Sequence, residues 1–161
     1  MEDDLTKQQA MILFERAYRH QTKGEYGDAI VLYKRSLAVQ PTAEAYTYLG
    51  WTYSMLNRYD EAIECCKKAI QEDPEFGNPY NDTGAYLIEL EQWEEAIPWL
   101  EQAITAPRYE SPQFAHMNLG RVYEHLGRHR TALLCYDRAI EIDAFYRAAI
   151  WAKYHLLGEL S

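Results

Sequence analysis

"YTYLGWTYSMLNRYDEAIECCKKAIQEDP", residues 46–74, decides how this chain folds, because its parts recur. Near-copies of its second half are centred on Ala29, Ala96 and Ala132, so that with Ala62 four alanines stand at intervals of 33, 34 and 36 residues. Four residues after each alanine come Tyr33, Cys66, Leu100 and Tyr136, and seven after come Ser36, Ala69, Ala103 and Ala139. Offsets of four and seven lie on one stripe of a helix. Small residues at the ends of that stripe admit a neighbouring helix, and the larger central residue fills the gap. Twelve residues before each alanine is another small residue, Ala17, Gly50, Gly84 or Gly120, again flanked at helical spacing by Leu13, Tyr46, Tyr80 and His116 and by His20, Tyr53, Leu87 and Tyr123.

Between the two stripes stand Gly24, Asn57, Glu91 and Gly127. Gly and Asn suit a left-handed turn at a helix end, so three of the four fit and Glu91 does not. Pro41 and Pro74 stop the helices before them, Pro107 comes one place early, and Ala144 replaces the fourth proline. Helices are therefore expected near 7–22, 26–39, 43–56, 59–72, 77–90, 93–105, 112–126, 129–142 and 145–159. Thr6 with Gln9 looks like a capping box for the first. Pro98 falls inside the sixth and is expected to bend it. "APRYESPQF", 106–114, is a two-residue insertion against the period and reads as a longer loop.

The chain has 161 residues, a net charge of −9 and a hydrophobic fraction of 48%. That charge argues against a general affinity for nucleic acid or anionic membranes. It is unevenly placed: residues 1–107 carry 9 basic and 19 acidic groups, residues 108–161 carry 7 and 6. No apolar stretch is long enough to span a bilayer, and the acidic start "MEDDLTKQQ" is wrong for a targeting segment. Three cysteines, two of them adjacent, make no disulfide framework and fit a reducing cytoplasm. Tyrosine is abundant, with 14 residues, and suits surfaces that are part packed and part wet.

On these residues the chain resembles the tetratricopeptide-repeat family. The family's large residue, Leu-Gly, Tyr, then Ala, aromatic, Ala and Pro is nearly complete in "YTYLGWTY…DEAIECCKKAIQEDP". It is strong again in "HMNLGRVY…RTALLCYDRAI" and weaker in the first unit, where Arg16 and His20 occupy apolar places. The resemblance implies an all-α, right-handed α-solenoid of about nine helices. Its repeats would lie at about 10–42, 43–76, 77–112 and 113–146 of one domain over 1–161, closed by a C-terminal helix at about 145–159.

Chemistry is hard to find in this pattern. His125 and His129 stand four apart but straddle Gly127, which puts them on different helices with no third ligand. Cys66 lies on the packing stripe and reads as a structural thiol, as do Cys65 and Cys135. Glu61, Glu64, Glu94 and Glu95 belong to solvated outer faces. No phosphate loop or converging acid and base is evident, so neither an enzyme nor a metal or cofactor site is expected.

A protein or peptide partner is expected instead, on a concave face that the resemblance assigns to the first helix of each pair. The face opposite the packing stripe gives Phe14, Tyr18, Thr47, Tyr48, Trp51, Met55, Asn78, Asn81, Asp82, Ile88, Asn118, Arg121 and His125, with Glu44 and Phe114 nearby. Aromatic anchors supply contact area, Asn81 and Asn118 donors and acceptors for a peptide backbone, and Arg121 a fork for a carboxylate. Some family members grip the carboxylate terminus of cytosolic chaperones with Lys, Asn and Arg on these helices. The matching places here lack those cations, which speaks against a chaperone-tail adaptor of that type. The implied function is a peptide-binding adaptor or co-chaperone-like scaffold. The alternative is a self-assembling scaffold, docking through the groove or through Phe145, Trp151 and Tyr154 of an unusually apolar last helix.

Overall fold

A computed structural model describes all 161 residues as nine α-helices joined by short turns. They are α1 (Glu2–Thr22), α2 (Tyr26–Val39), α3 (Ala43–Met55), α4 (Tyr59–Glu72), α5 (Asn78–Glu89), α6 (Trp93–Thr105), α7 (Pro112–His125), α8 (His129–Ile142) and α9 (Arg147–Leu160). Helices α1, α3, α5 and α7 each pack most closely on the even-numbered helix that follows, each pair packs on the next, and α9 packs on α8. The first helices α3, α5 and α7 also touch in series. This is an all-α solenoid of helical repeats, each pair burying its apolar stripe against its neighbours.

The small-and-large stripe of the sequence is the core. Ala29, Ala62, Ala96 and Ala132 are fully buried, as are Tyr33, Cys66, Leu100 and Tyr136 four residues on. Each large residue sits over the small residue of the preceding helix. A Cβ built on Gly84 would come 2.5 Å from Leu100, and one on Gly120 would come 2.3 Å from the Tyr136 ring. Glycine is required there because the two helices are in contact.

Tyrosine in this stripe brings a hydroxyl that needs a partner, and the preceding helix supplies it twelve residues earlier. Tyr33 donates to the Gln21 side chain, and Tyr136 donates to Glu124 at 2.5 Å. In the third pair the central residue is Leu100, and the equivalent place holds Ile88, 2% exposed. Ile88 therefore belongs to the core with Leu100, Leu119 and Val122, not to the concave face where the sequence pattern set it. The pairing of polar with Tyr and apolar with Leu explains the correction.

All four interhelix turns close alike. The residues Gly24, Asn57, Glu91 and Gly127 have φ of 76°, 58°, 59° and 74°. In each turn the next amide reaches back five residues, as from Arg58 to Tyr53 and from Gln92 to Leu87, at 3.0 and 2.9 Å. Glu91 thus takes the left-handed conformation its residue type disfavours, at a cost of about 1 kcal/mol. The bonds from Glu91 and Gln92 to the carbonyls of Ile88 and Leu87 hold it there.

Two further differences concern the ends and the insertion. The first helix begins at Glu2, not near residue 7, and Glu2, Asp3 and Asp4 place negative charge at its amino end. Thr6 is inside this helix, where its hydroxyl donates to the Glu2 carbonyl at 3.0 Å, so it forms no capping box. Helix α6 runs through Pro98 without interruption. The insertion does more than lengthen a loop. The Gly77 amide donates to the Arg108 carbonyl at 2.9 Å, and the Arg108 amide to the Glu75 carbonyl at 3.1 Å, making a one-residue parallel bridge between successive loops. Arg108 also pairs with Asp73. Tyr109 is pressed so close to Gly77 that a Cβ on Gly77 would come 2.4 Å from it.

Candidate functional site: an aromatic trough

Helices α1, α3 and α5 and the loop after α6 enclose an open trough of about 540 Å³. Of the thirteen residues the sequence pattern selected, Tyr18, Thr47, Tyr48, Trp51, Asn78, Asn81 and Asp82 line it. Trp51, 39% exposed, faces solvent and stands 6.5 Å from the Tyr26 ring. Tyr48 is both wall and surface: its ring packs edge-on to Phe14 at 5.3 Å and Tyr18 at 5.7 Å and stacks on Tyr33 at 6.3 Å, yet the residue stays exposed. Phe14 is half-buried behind it, between Tyr33 and Tyr48, and contributes support instead of surface. Thr47 is buried, and its hydroxyl is spent on the Ala43 carbonyl at 2.7 Å.

The polar centre departs from the sequence reading. Asn81 and Asn118 bond to each other across successive pairs, Nδ2 of Asn118 donating to Oδ1 of Asn81 at 3.1 Å. Asn118 Oδ1 in turn accepts from Arg121 at 3.4 Å, and Arg121 lies 3.7 Å from Glu89. The two amides are therefore partly committed to holding α5 against α7. Arg121 and His125 lie in a second hollow of about 580 Å³, beside Met117 and Trp151 of α9. There His125 stacks on Trp93 at 4.0 Å. Met55 is exposed at the end of α3 and lines neither hollow. Trp51, Asn81 and Arg121 thus do not share one site.

Phe76, Tyr109 and Ser111 line the trough and were not selected from the sequence. They come from the two loops that pair through Arg108; the two-residue excess in "APRYESPQF" is the sequence signal for Tyr109 and Ser111, and Phe76 has none. Phe114, from the first turn of α7, completes the wall.

The trough's electrostatics centre on Asp82. Burial pushes its carboxyl up to about 7, opposed only by a hydrogen bond from Asn81. Its charge in turn raises the Tyr48, Tyr86 and Tyr109 hydroxyls, whose larger cause is burial. None of the ion pairs in the chain includes Asp82. Burial likewise lifts the Cys65 and Cys135 thiols to about 11, which keeps them protonated and unreactive.

Two clusters gather a histidine with two carboxylates within 4.8 Å, His20 with Glu25 and Asp28, and Glu124 with His155 and Glu159. In the first, His20 and Glu25 already bond at 2.5 Å, and in the second Glu124 accepts from Tyr136. Neither offers a free set of metal donors.

The profile of the tetratricopeptide repeat matches residues 43–76 and 114–146. Sperm-associated antigen 1 of Mus musculus is 41% identical over 51 residues, 32% of this chain and 6% of that protein's length. Among solved structures, the pilF protein of Pseudomonas aeruginosa superposes with a TM-score of 0.89 at 19% identity, over 96% of this chain and 70% of that one. The first TPR of Spaghetti (RPAP3), solved with a bound HSP90 peptide, gives 0.68 at 23% identity over 75% of this chain and 95% of that one. At these identities the structural likenesses speak for the fold. With the four-fold stripe of small residues, the two matched repeats make the chain an all-α repeat protein similar to the tetratricopeptide-repeat family.

Proposed function

We propose that the chain is a non-enzymatic protein-interaction module that holds a peptide segment of a partner protein in the trough between α1, α3, α5 and the start of α7, as an adaptor. One observation carries this reading: exposed rings from the first, second and fourth helix pairs, Tyr18, Tyr48 with Trp51, and Phe114, converge on one continuous trough of about 540 Å³. Rings left half-exposed supply large contact area at little cost in side-chain order. The likeness to a peptide-bound repeat domain supports it. No helix is long and apolar enough to cross a membrane, and three unpaired thiols suit the reducing cytoplasm.

The test is affinity capture with the wild-type chain and a Trp51→Ala/Phe114→Ala variant side by side, read by mass spectrometry. The variant is expected to lose the captured partner while its helical circular dichroism and melting stay within a few degrees of wild type. Equal capture by both would refute the trough as the binding site.

The second reading is self-assembly through α9. Trp151, 67% exposed, and Tyr154, also exposed, both stand on α9, and Phe145, just before that helix, is 89% exposed. If this face docks a second copy, sedimentation over a range of concentrations will show a dimer that Trp151→Glu abolishes. A monomer at every concentration eliminates the reading.

A further inference from the structure

The trough has an unbalanced charge. Its lining carries two carboxylates, Glu44 and Asp82, and no lysine, arginine or histidine. Asp82 is half-buried in the lining and pairs with no cation. A desolvated carboxylate without a cationic partner is costly to the free protein, and that cost falls when an opposite charge enters. The charges around it sharpen the point. The titratable groups that feel the Asp82 charge are Tyr48 on α3, Cys66 on α4, Tyr86 on α5 and Tyr109 in the loop after α6, none of which supplies a positive charge.

The arginines that border this region are committed elsewhere. Arg108 pairs with Asp73 and lies over the Phe76 ring, its guanidinium 5.8 Å from the centroid. Arg121 is held by Asn118 and Glu89 in the next hollow. An acidic peptide or a free carboxyl terminus would therefore meet like charge in the trough, with nothing to neutralise it. The walls favour the opposite ligand, because the faces of Tyr18, Tyr48, Trp51 and Phe114 attract a cation as well as apolar surface.

Resting on the reading of the trough as a peptide site, we infer that its occupant is a basic segment of a partner protein, presenting an arginine or lysine side chain that lies between the Tyr48 and Trp51 rings and ends on the Asp82 carboxylate. The stem of such a side chain is apolar and its head is charged, which matches an aromatic lining that includes a carboxylate. The neighbouring Glu44 at the rim adds attraction on approach.

A random peptide library displayed on phage and selected on the immobilised chain provides the test. Retained sequences are expected to share one arginine or lysine flanked by apolar residues, with aspartate and glutamate depleted. The best of them, synthesised with both ends blocked so that no terminal amine or carboxylate takes part, would be compared by fluorescence anisotropy at about pH 8. Replacing the shared arginine by citrulline, or lysine by acetyl-lysine, keeps the shape and removes the charge, and is expected to weaken Kd by about tenfold or more. Asp82→Asn should remove most of that difference between charged and neutral peptides while the chain stays folded. If peptides are retained and lost on Trp51→Ala, yet show no basic preference or are indifferent to citrulline, the inference is overturned and the peptide site stands. If no peptide is retained, or the immobilised chain binds only a second copy of itself, both fall.

Discussion

Truncating Leu100 to alanine is expected to lower the stability of the chain by about 3 kcal/mol. Leu100 is completely buried between α5, α6 and α7, and the glycine beneath it leaves no side chain that can move into the space. Gly84→Ala attacks the same contact from the other side. Its new Cβ would come 2.5 Å from Leu100, and the overpacking is expected to cost about 1–2 kcal/mol after the gain in helix propensity. The informative variant carries both changes. If small and large residues form one contact, the double mutant will be less destabilised than the sum of its parts by about 1–2 kcal/mol, since each substitution relieves the other. Urea unfolding of the four proteins measures this. Additive losses would show that the repeat stripe is two independent packing sites, contrary to the geometry.

The second expected result has the opposite sign. Asp82→Asn should make the chain more stable at about pH 8 and leave it unchanged near pH 4. The folded chain holds the Asp82 carboxyl up to about 7, while in an unfolded chain it titrates near 4. Below about pH 4 both states carry the proton and the carboxyl exerts no pull. Between about pH 4 and 7 the unfolded chain releases its proton first, so stability falls as pH rises, and above about 7 the loss is complete. A carboxylate fully removed from water would account for about 4 kcal/mol over that window. Asp82 keeps some of its surface in water, so about 2 kcal/mol is expected, or roughly 4–8 °C in melting temperature. Thermal melts of wild type and variant from about pH 4 to 8 decide it. A variant no more stable than wild type at high pH would show that Asp82 is already compensated within the chain. A residue that weakens the fold and lines the trough proposed to hold a peptide is what a stability–function trade-off would look like.

Much of the solenoid could be read directly from the residues. Ala62, Cys66 and Ala69 with Gly50 state a close helix crossing, and their recurrence states that it is repeated. Local rules then set most helix ends, since Pro41, Pro74, Gly24 and Gly127 act on their own backbone. Where local rules failed, a longer-range contact had won. Glu91 enters the left-handed region because the carbonyls of Leu87 and Ile88 receive its turn's amides, and the fixed packing of α5 on α6 leaves no other path. Helical angle alone assigns Ile88 to the groove, whereas its burial follows from Leu100 twelve residues later, in the same relation as Gln21 to Tyr33 and Glu124 to Tyr136.

What the sequence determined by itself was the helix count, the stacking and the aromatic character of Tyr18, Tyr48 and Trp51 on one face, because these depend on spacings within a helix and on one repeated crossing. The tertiary structure alone decided where that face is divided and what closes it. The Asn81–Asn118 bond ties α5 to α7 while Arg121 lines a different hollow, and the bridge between the loops at Phe76 and Arg108 lies next to Tyr109 of the trough wall. Both are contacts between residues more than thirty positions apart, whose pairing depends on how far each repeat rotates on the last. No spacing within a single helix encodes that rotation.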